Sequence, residues 1–224
     1  MQEITLGKIS TIEETSKEAY KTLKTNISFC GNNIKTILIT SASPNEGKTT
    51  VSFNLAQTLA RDRKKVLYID ADLRNSTFNT EYNVSSDVPL YGLSNYLVHQ
   101  INHSNVIYRS NLHYLDIILS GPSVPNPTLL LEDESMEYLL EQVRNLYDYI
   151  IIDTPPLGNV IDAAIISPYV DGAVLVIEKD HLSYKEALSV TKQLEKSKCR
   201  ILGAVLNKSD IDKKRYIKNE VYEH

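Results

Sequence analysis

Lys48, Thr49, Asp70, Asp72 and Asp153 each stand at or shortly beyond the end of an apolar run, where a parallel sheet presents side chains at its carboxyl edge. Thr36-Ile37-Leu38-Ile39 leads into Ala42-Ser43-Pro44-Asn45-Glu46-Gly47-Lys48-Thr49, and a helical stretch follows. A loop of this kind turns backbone N–H groups toward a polyphosphate, and the following helix adds its positive end. Gly47 permits close approach, Lys48 reaches the β- and γ-phosphates, and the Thr49 hydroxyl suits Mg²⁺. Ser43, Pro44, Asn45, Glu46 and Thr50 complete the candidate nucleotide-binding loop. Ala42 stands where the usual phosphate-loop pattern has its first glycine.

Two acidic strand ends supply the complementary chemistry. Val66-Leu67-Tyr68-Ile69 leads into Asp70-Ala71-Asp72-Leu73-Arg74, and Tyr149-Ile150-Ile151-Ile152 leads into Asp153-Thr154-Pro155-Pro156. On an extended strand, Asp70 and Asp72 project to the same side. With Asp153 they make three carboxylates, suited to a cation that keeps several waters and to a base beside the γ-phosphate. Asp162 reads instead as the start of a helix near Ala163. Together the three segments predict ATP and Mg²⁺ as cofactors.

The elements that position these residues alternate. Strands are predicted at 35–40, 65–70, 112–119, 149–153, 173–178 and 200–206. Helices are predicted at 13–26, 48–60, 93–99, 128–146, 163–167 and 184–196. Such alternation implies an α/β fold of P-loop NTPase type, a mostly parallel sheet with helices on both faces. Right-handed crossovers gather the phosphate loop and the acidic ends at one edge. Residues 74–88 carry few apolar anchors and read as a mobile loop beside the site. Tyr68 and Tyr149 lie in core strands and read as packing residues.

The chain has 224 residues with 42% hydrophobic content, enough for one substantial core. A net charge of −4 argues against a general nucleic-acid binder. Cys30 and Cys199 match no metal spacing and read as free thiols. No apolar stretch approaches the about 18 residues that span a bilayer, and no signal-peptide pattern opens the chain. A cytoplasmic location follows as an expectation.

From residue 15 to 209 the sequence resembles the bacterial protein-tyrosine kinases (BY-kinases) of capsular and exopolysaccharide synthesis. The most specific part is Val66-Leu67-Tyr68-Ile69-Asp70-Ala71-Asp72-Leu73-Arg74, which looks like that family's second Walker motif. Ser43-Pro44-Asn45-Glu46-Gly47-Lys48-Thr49, Gly92-Leu93-Ser94-Asn95-Tyr96-Leu97, Pro125-Asn126-Pro127 and Ile152-Asp153-Thr154-Pro155-Pro156 support it. The resemblance implies a single kinase domain over residues 1–209 that transfers phosphoryl groups from ATP to tyrosine. Thr49, Asp72 and Asp153 would hold Mg²⁺. Lys48 and Asp72 would take part in catalysis, with Asp70 as base, and Asn207 would contact adenine. It also implies a homo-oligomer, of which a ring is one form, together with a membrane activator that recruits the chain to the inner face of the membrane. A cognate tyrosine phosphatase and the polysaccharide machinery are implied in the same way.

Two departures qualify the likeness. The family's E-x-x-R-x-x-R oligomerisation helix is matched here by Glu18, Lys21 and Lys24, with lysine where arginine is usual. Lysine lacks the planar fork for bidentate pairing, so a weaker assembly is expected. Family tails hold a dense tyrosine cluster, whereas residues 210–224 offer only Tyr216 and Tyr222 as acceptors on an expected mobile tail. The competing reading is a ParA/MinD-like ATPase that switches between assembly states. Those proteins carry a second lysine early in the loop, and Ser43 occupies that place here.

Overall fold

The computed structural model describes residues 1–9, 14–179 and 184–209. Its centre is a nine-stranded sheet in the order β4-β1-β5-β6-β3-β7-β2-β8-β9. The strands are β1 (Gln2–Leu6), β2 (Thr36–Ser41), β3 (Val66–Asp70), β4 (Val84–Ser85), β5 (Tyr108–Ser110), β6 (Leu115–Ile118), β7 (Tyr149–Asp153), β8 (Gly172–Glu178) and β9 (Ile201–Asn207). Strands β6, β3, β7, β2, β8 and β9 are mutually parallel. The other half is mixed, with antiparallel pairs β1–β4 and β5–β6. Every residue of β2 and β3 is buried, the continuous apolar pattern that a sheet covered on both faces requires.

Alternation along the strands divides the core in two. Ile37, Ile39, Tyr68 and Ile151 face the helices α1 (Glu14–Phe29), α2 (Lys48–Arg61) and α3 (Phe78–Glu81). Leu38, Leu67, Ile69, Ile150 and Ile152 face α4 (Leu93–Leu97), α5 (Pro127–Leu131), α6 (Glu134–Arg144), α7 (Asp162–Ile166) and α8 (Tyr184–Lys196). The three-layered architecture, a sheet between two layers of helices, is therefore the one expected from the strand-helix alternation.

Several sequence-based expectations need correction. Strands β1, β4 and β5 extend the sheet on the side of β6, and 112–119 shortens to four residues. The 128–146 helix is two helices, because Asp133 caps α6 by accepting the Ser135 N–H at 2.9 Å. Residues 74–88 are anchored, since Phe78 and Tyr82 are buried against Phe53, with ring centroids 5.1 and 4.3 Å apart. Tyr68 joins this aromatic cluster through Phe78 at 4.9 Å, while Tyr149 is only half-buried. Cys30 and Cys199 are free thiols, and burial raises the Cys199 pKa to about 11.

Candidate active site

The phosphate loop begins where β2 ends and closes where α2 starts. Gly47, the residue before α2, has φ +86°. A Cβ there would lie 2.1 Å from Asn207 Nδ2, so both conformation and space demand glycine. No side chain caps α2, so the N–H groups of its first turn stay available to an anion. Glu46 is fully buried and works behind the loop: its carboxylate accepts the Ser43 N–H at 2.7 Å and the Glu178 N–H at 3.3 Å. Asn207 Nδ2 donates to the Glu46 carbonyl at 2.9 Å, tying β9 to the same turn. Gly158, beyond β7, packs so closely on Ala42 that an added Cβ would lie 2.1 Å from its carbonyl oxygen.

A cleft of about 580 Å³ opens over this loop. Pro44, Asn45, Gly47, Lys48, Thr49 and Thr50 form one side, and Asp70 and Asp72 the other. Residues 74–77 and Glu81, Pro155, Pro156, Asn159 and Val160 complete the walls, and Lys208 stands at the edge. Ser43, Glu46 and Asn207 do not line the cleft. Their side chains or amides brace the loop from behind. Lys208 Nζ donates to the Asn45 carbonyl at 2.8 Å and pairs with Glu178 at 3.0 Å.

Asp70 and Asp153 are direct neighbours in register on β3 and β7. Asp153 is buried one layer beneath the cleft, where Oδ2 accepts the Thr49 hydroxyl at 2.6 Å and the Tyr68 hydroxyl at 3.1 Å. Its Oδ1 is buried with no hydrogen-bond partner. Burial raises the Asp153 pKa to about 6, against the pull of Thr49 and Lys48. Burial and the Asp153 charge raise Asp70 to about 7, although Ser76 Oγ and the Asp72 N–H donate to its carboxylate. Burial lowers the Lys48 pKa, a shift opposed by Asp153 and Asp72.

Asp72 differs from the strand-based expectation. β3 ends at Asp70, so the two carboxylates do not share a pleat. Asp72 instead turns the chain, with Oδ1 accepting the N–H groups of Arg74 at 3.1 Å and Asn75 at 3.0 Å. Among the described residues no three His, Cys, Asp or Glu side chains converge to hold a metal ion alone. The three aspartates therefore do not form a carboxylate cage. The orphaned Asp153 Oδ1 and the hard oxygen donors of Thr49 and Asp72 still suit Mg²⁺, which typically keeps water and phosphate ligands.

Arg74 and Asp162 form a pair that spacing does not reveal. Arg74 Nε and Nη2 donate to the two carboxylate oxygens of Asp162 at 2.8 and 2.9 Å, and Thr128 bridges both residues. Asp162 is the first residue of α7, as expected, but it is fully buried and holds the turn that carries Asp72. The only signal in the sequence is an arginine two residues beyond Asp72. Glu18 and Lys21 pair on the exposed face of α1, and Lys24 pairs with Asp62 beyond α2. Tyr216 and Tyr222 lie outside the described residues. No helix among the described residues is long and apolar enough to cross a membrane.

The family model described as an AAA domain matches residues 34–208. Tyrosine-protein kinase CpsD of Streptococcus agalactiae is 38% identical over 206 residues, covering 92% of this chain and 89% of that protein. The kinase domain of Escherichia coli tyrosine kinase ETK superposes with a TM-score of 0.81 at 32% identity, covering 92% of this chain and 86% of the other. The septum site-determining protein MinD of Pyrococcus horikoshii, complexed with Mg-ADP, gives a TM-score of 0.66 at 24% identity, covering 83% and 76% of the two chains. That last likeness shows the shared P-loop fold alone. On the extent of the CpsD and ETK matches, this chain belongs to the family of bacterial tyrosine-protein kinases.

Proposed function

We propose that the chain transfers the γ-phosphoryl group of ATP to tyrosine hydroxyls, acting in trans on Tyr216 and Tyr222 of a second copy. The observation that carries the reading is the shared cleft of Lys48, Thr49, Asp70 and Asp72, with Asp153 directly beneath it. The Lys48 ammonium and the α2 N–H groups bind and orient the phosphates. Thr49, Asp72 and Asp153 would hold Mg²⁺, which when bound neutralises charge on the β- and γ-oxygens. Asp70 accepts the tyrosine proton. A carboxyl raised to about 7 is a better base than an ordinary aspartate and is still largely ionised in a weakly alkaline cytoplasm.

The established relatives favour this chemistry over an assembly-switching ATPase. Regulation of capsular or exopolysaccharide synthesis and export, a membrane activator that recruits the chain, and a cognate phosphatase belong to the same proposal. Each phosphate adds close to two negative charges at pH 7, so labelled tails repel one another and oppose assembly.

Phosphotyrosine mass spectrometry after incubation with Mg-ATP tests the reading, using wild type and Lys48→Met with and without an activator's cytoplasmic segment. Label on Tyr216 or Tyr222 in the wild type alone supports it. ATP consumption without phosphotyrosine under either condition overturns it.

A further inference from the structure

Tyr68 lies two residues before Asp70 on β3 and pairs in register with Ile151 of β7. Side chains two apart on a strand share a face, so Ile151 and Asp153 stand on the same side of the sheet as the Tyr68 ring. The Tyr68 hydroxyl crosses to the neighbouring strand and donates to Asp153 Oδ2 at 3.1 Å. The same oxygen accepts the Thr49 hydroxyl at 2.6 Å. Ser52, one turn into α2, donates to the Thr49 carbonyl at 3.0 Å, and its Oγ lies 3.5 Å from the Tyr68 hydroxyl. Tyr68, Ser52 and Asp153 are all buried.

Packing alone does not call for this hydroxyl. The ring stacks on Phe78 at 4.9 Å and meets Phe53 edge-on at 5.4 Å, contacts that a phenylalanine would make equally well. A buried O–H costs free energy unless it is paired, and the partner here is a carboxylate beneath the nucleotide cleft. An ionised carboxylate only accepts, so the protons of both hydroxyls are committed to Asp153 Oδ2. Thr49 lines the cleft, and with its proton committed its oxygen can act there only as an acceptor or a ligand. Two donors from different elements, β3 and α2, converge on one oxygen and fix the carboxylate more firmly than Thr49 alone would.

We propose that Tyr68 is a positioning residue for the magnesium ion of the bound nucleotide, holding Asp153 so that the Thr49 oxygen stays presented to the cation. The inference rests on the assignment of Thr49 and Asp153 to Mg²⁺, and it adds a group that does not itself line the cleft. Hydrogen-bond partners of metal-binding groups set their orientation, and losing one typically costs about 10–100-fold in metal affinity. Lys48 and the N–H groups of α2 make no use of this bond, so the phosphates keep their own contacts when it is lost. The defect is confined to the cation.

The test is calorimetric titration of the full chain with ADP, once in EDTA and once at saturating Mg²⁺, read as the gain in affinity that Mg²⁺ confers. Tyr68→Phe keeps the ring contacts and removes the hydroxyl. Its ADP affinity in EDTA should stay within about twofold of wild type, while the Mg²⁺ gain should fall about tenfold. Tyr82→Phe trims a hydroxyl from the same aromatic cluster and should leave the gain unchanged. In a Thr49→Ala background, Tyr68→Phe should cost less of the gain than it does alone, because the two hydroxyls act through one oxygen. An undiminished Mg²⁺ gain in Tyr68→Phe would overturn the inference. So would an equal loss of affinity with and without Mg²⁺, the mark of a structural role alone. A wild type whose ADP affinity gains nothing from Mg²⁺ would remove the assignment of Thr49 and Asp153, and the inference with it.

Discussion

Asp70 and Asp153 end adjacent parallel strands in direct register, and Ala71 N–H donates to the Asp153 carbonyl at 2.8 Å just beyond them. The fold thus buries two carboxylates side by side, and of the two only Asp153 feels the Lys48 charge. That arrangement is costly without a cation, and the cost is visible in their pKa values of about 7 and about 6.

The first prediction follows from the sign of those shifts. The unfolded chain ionises both groups near pH 4, whereas the folded chain does so only near 7 and 6. The folded state therefore holds more protons across that window, and stability falls as the pH rises through it. Asp70→Asn removes the larger share. At pH 8, without metal or nucleotide, it should be more stable than the wild type, on the order of 3 kcal/mol. The difference should shrink toward pH 4, and phosphotransfer should be lost at every pH. Urea melts at both pH values check this, and equal stability at pH 8 would contradict it.

Arg74 and Asp162 give the second. Asp162 is completely buried while the Arg74 side chain is 32% exposed, so the two halves of the pair are not equivalent. Arg74→Ala strands a buried carboxylate with Thr128 as its remaining side-chain partner and should cost about 3 kcal/mol. Asp162→Asn keeps an acceptor for Arg74 and leaves the guanidinium access to water, so it should cost less. Both variants should also loosen the turn that fixes Asp72. Chemical denaturation ranks them, and the reverse order would sink the argument.

Gly47 gives the third. Gly47→Ala meets two penalties: the left-handed backbone, worth about 1–2 kcal/mol, and the collision with Asn207. In an Asn207→Ala background the collision disappears and the backbone penalty stays. Gly47→Ala should therefore cost less in the Asn207→Ala background than in the wild type, measured by thermal melting of all four proteins, with nucleotide binding still weakened. No cost of Gly47→Ala in the Asn207→Ala background would mean that the backbone conformation carries no penalty.

These outcomes separate what is legible in the sequence from what is not. Lys48, Asp70 and Asp153 stand out because apolar runs place them at one sheet edge, and local spacing is enough to see it. The brace made by Glu46 and Asn207 joins residues far apart in sequence, and nothing local announces that Glu46 points inward. The same holds for Asp162, whose position at the start of α7 is readable but whose partner is not. Residues 74–88 read as loose because Phe78 and Tyr82 are sparse along the chain. Their burial depends on Phe53 and Tyr68, which only the fold brings near. β1, β4 and β5 are short strands whose pairing, more than their composition, defines them.

The fourth prediction concerns assembly. Glu18 and Lys21 are each more than half exposed and pair with one another, while Lys24 is paired with Asp62 in its own chain. Exposed pairs of this kind contribute little to folding, typically below about 1 kcal/mol. Glu18→Ala should therefore leave the melting temperature almost unchanged. If the α1 stripe joins copies of the chain, the same variant should lower the mass measured by light scattering across a concentration series. Lys24 would have to exchange Asp62 for a partner's carboxylate in that assembly, so Asp62→Ala should free it and favour association. An unchanged mass in Glu18→Ala at every concentration would remove the stripe from the assembly interface, and a loss of folded protein would show that α1 serves the monomer instead.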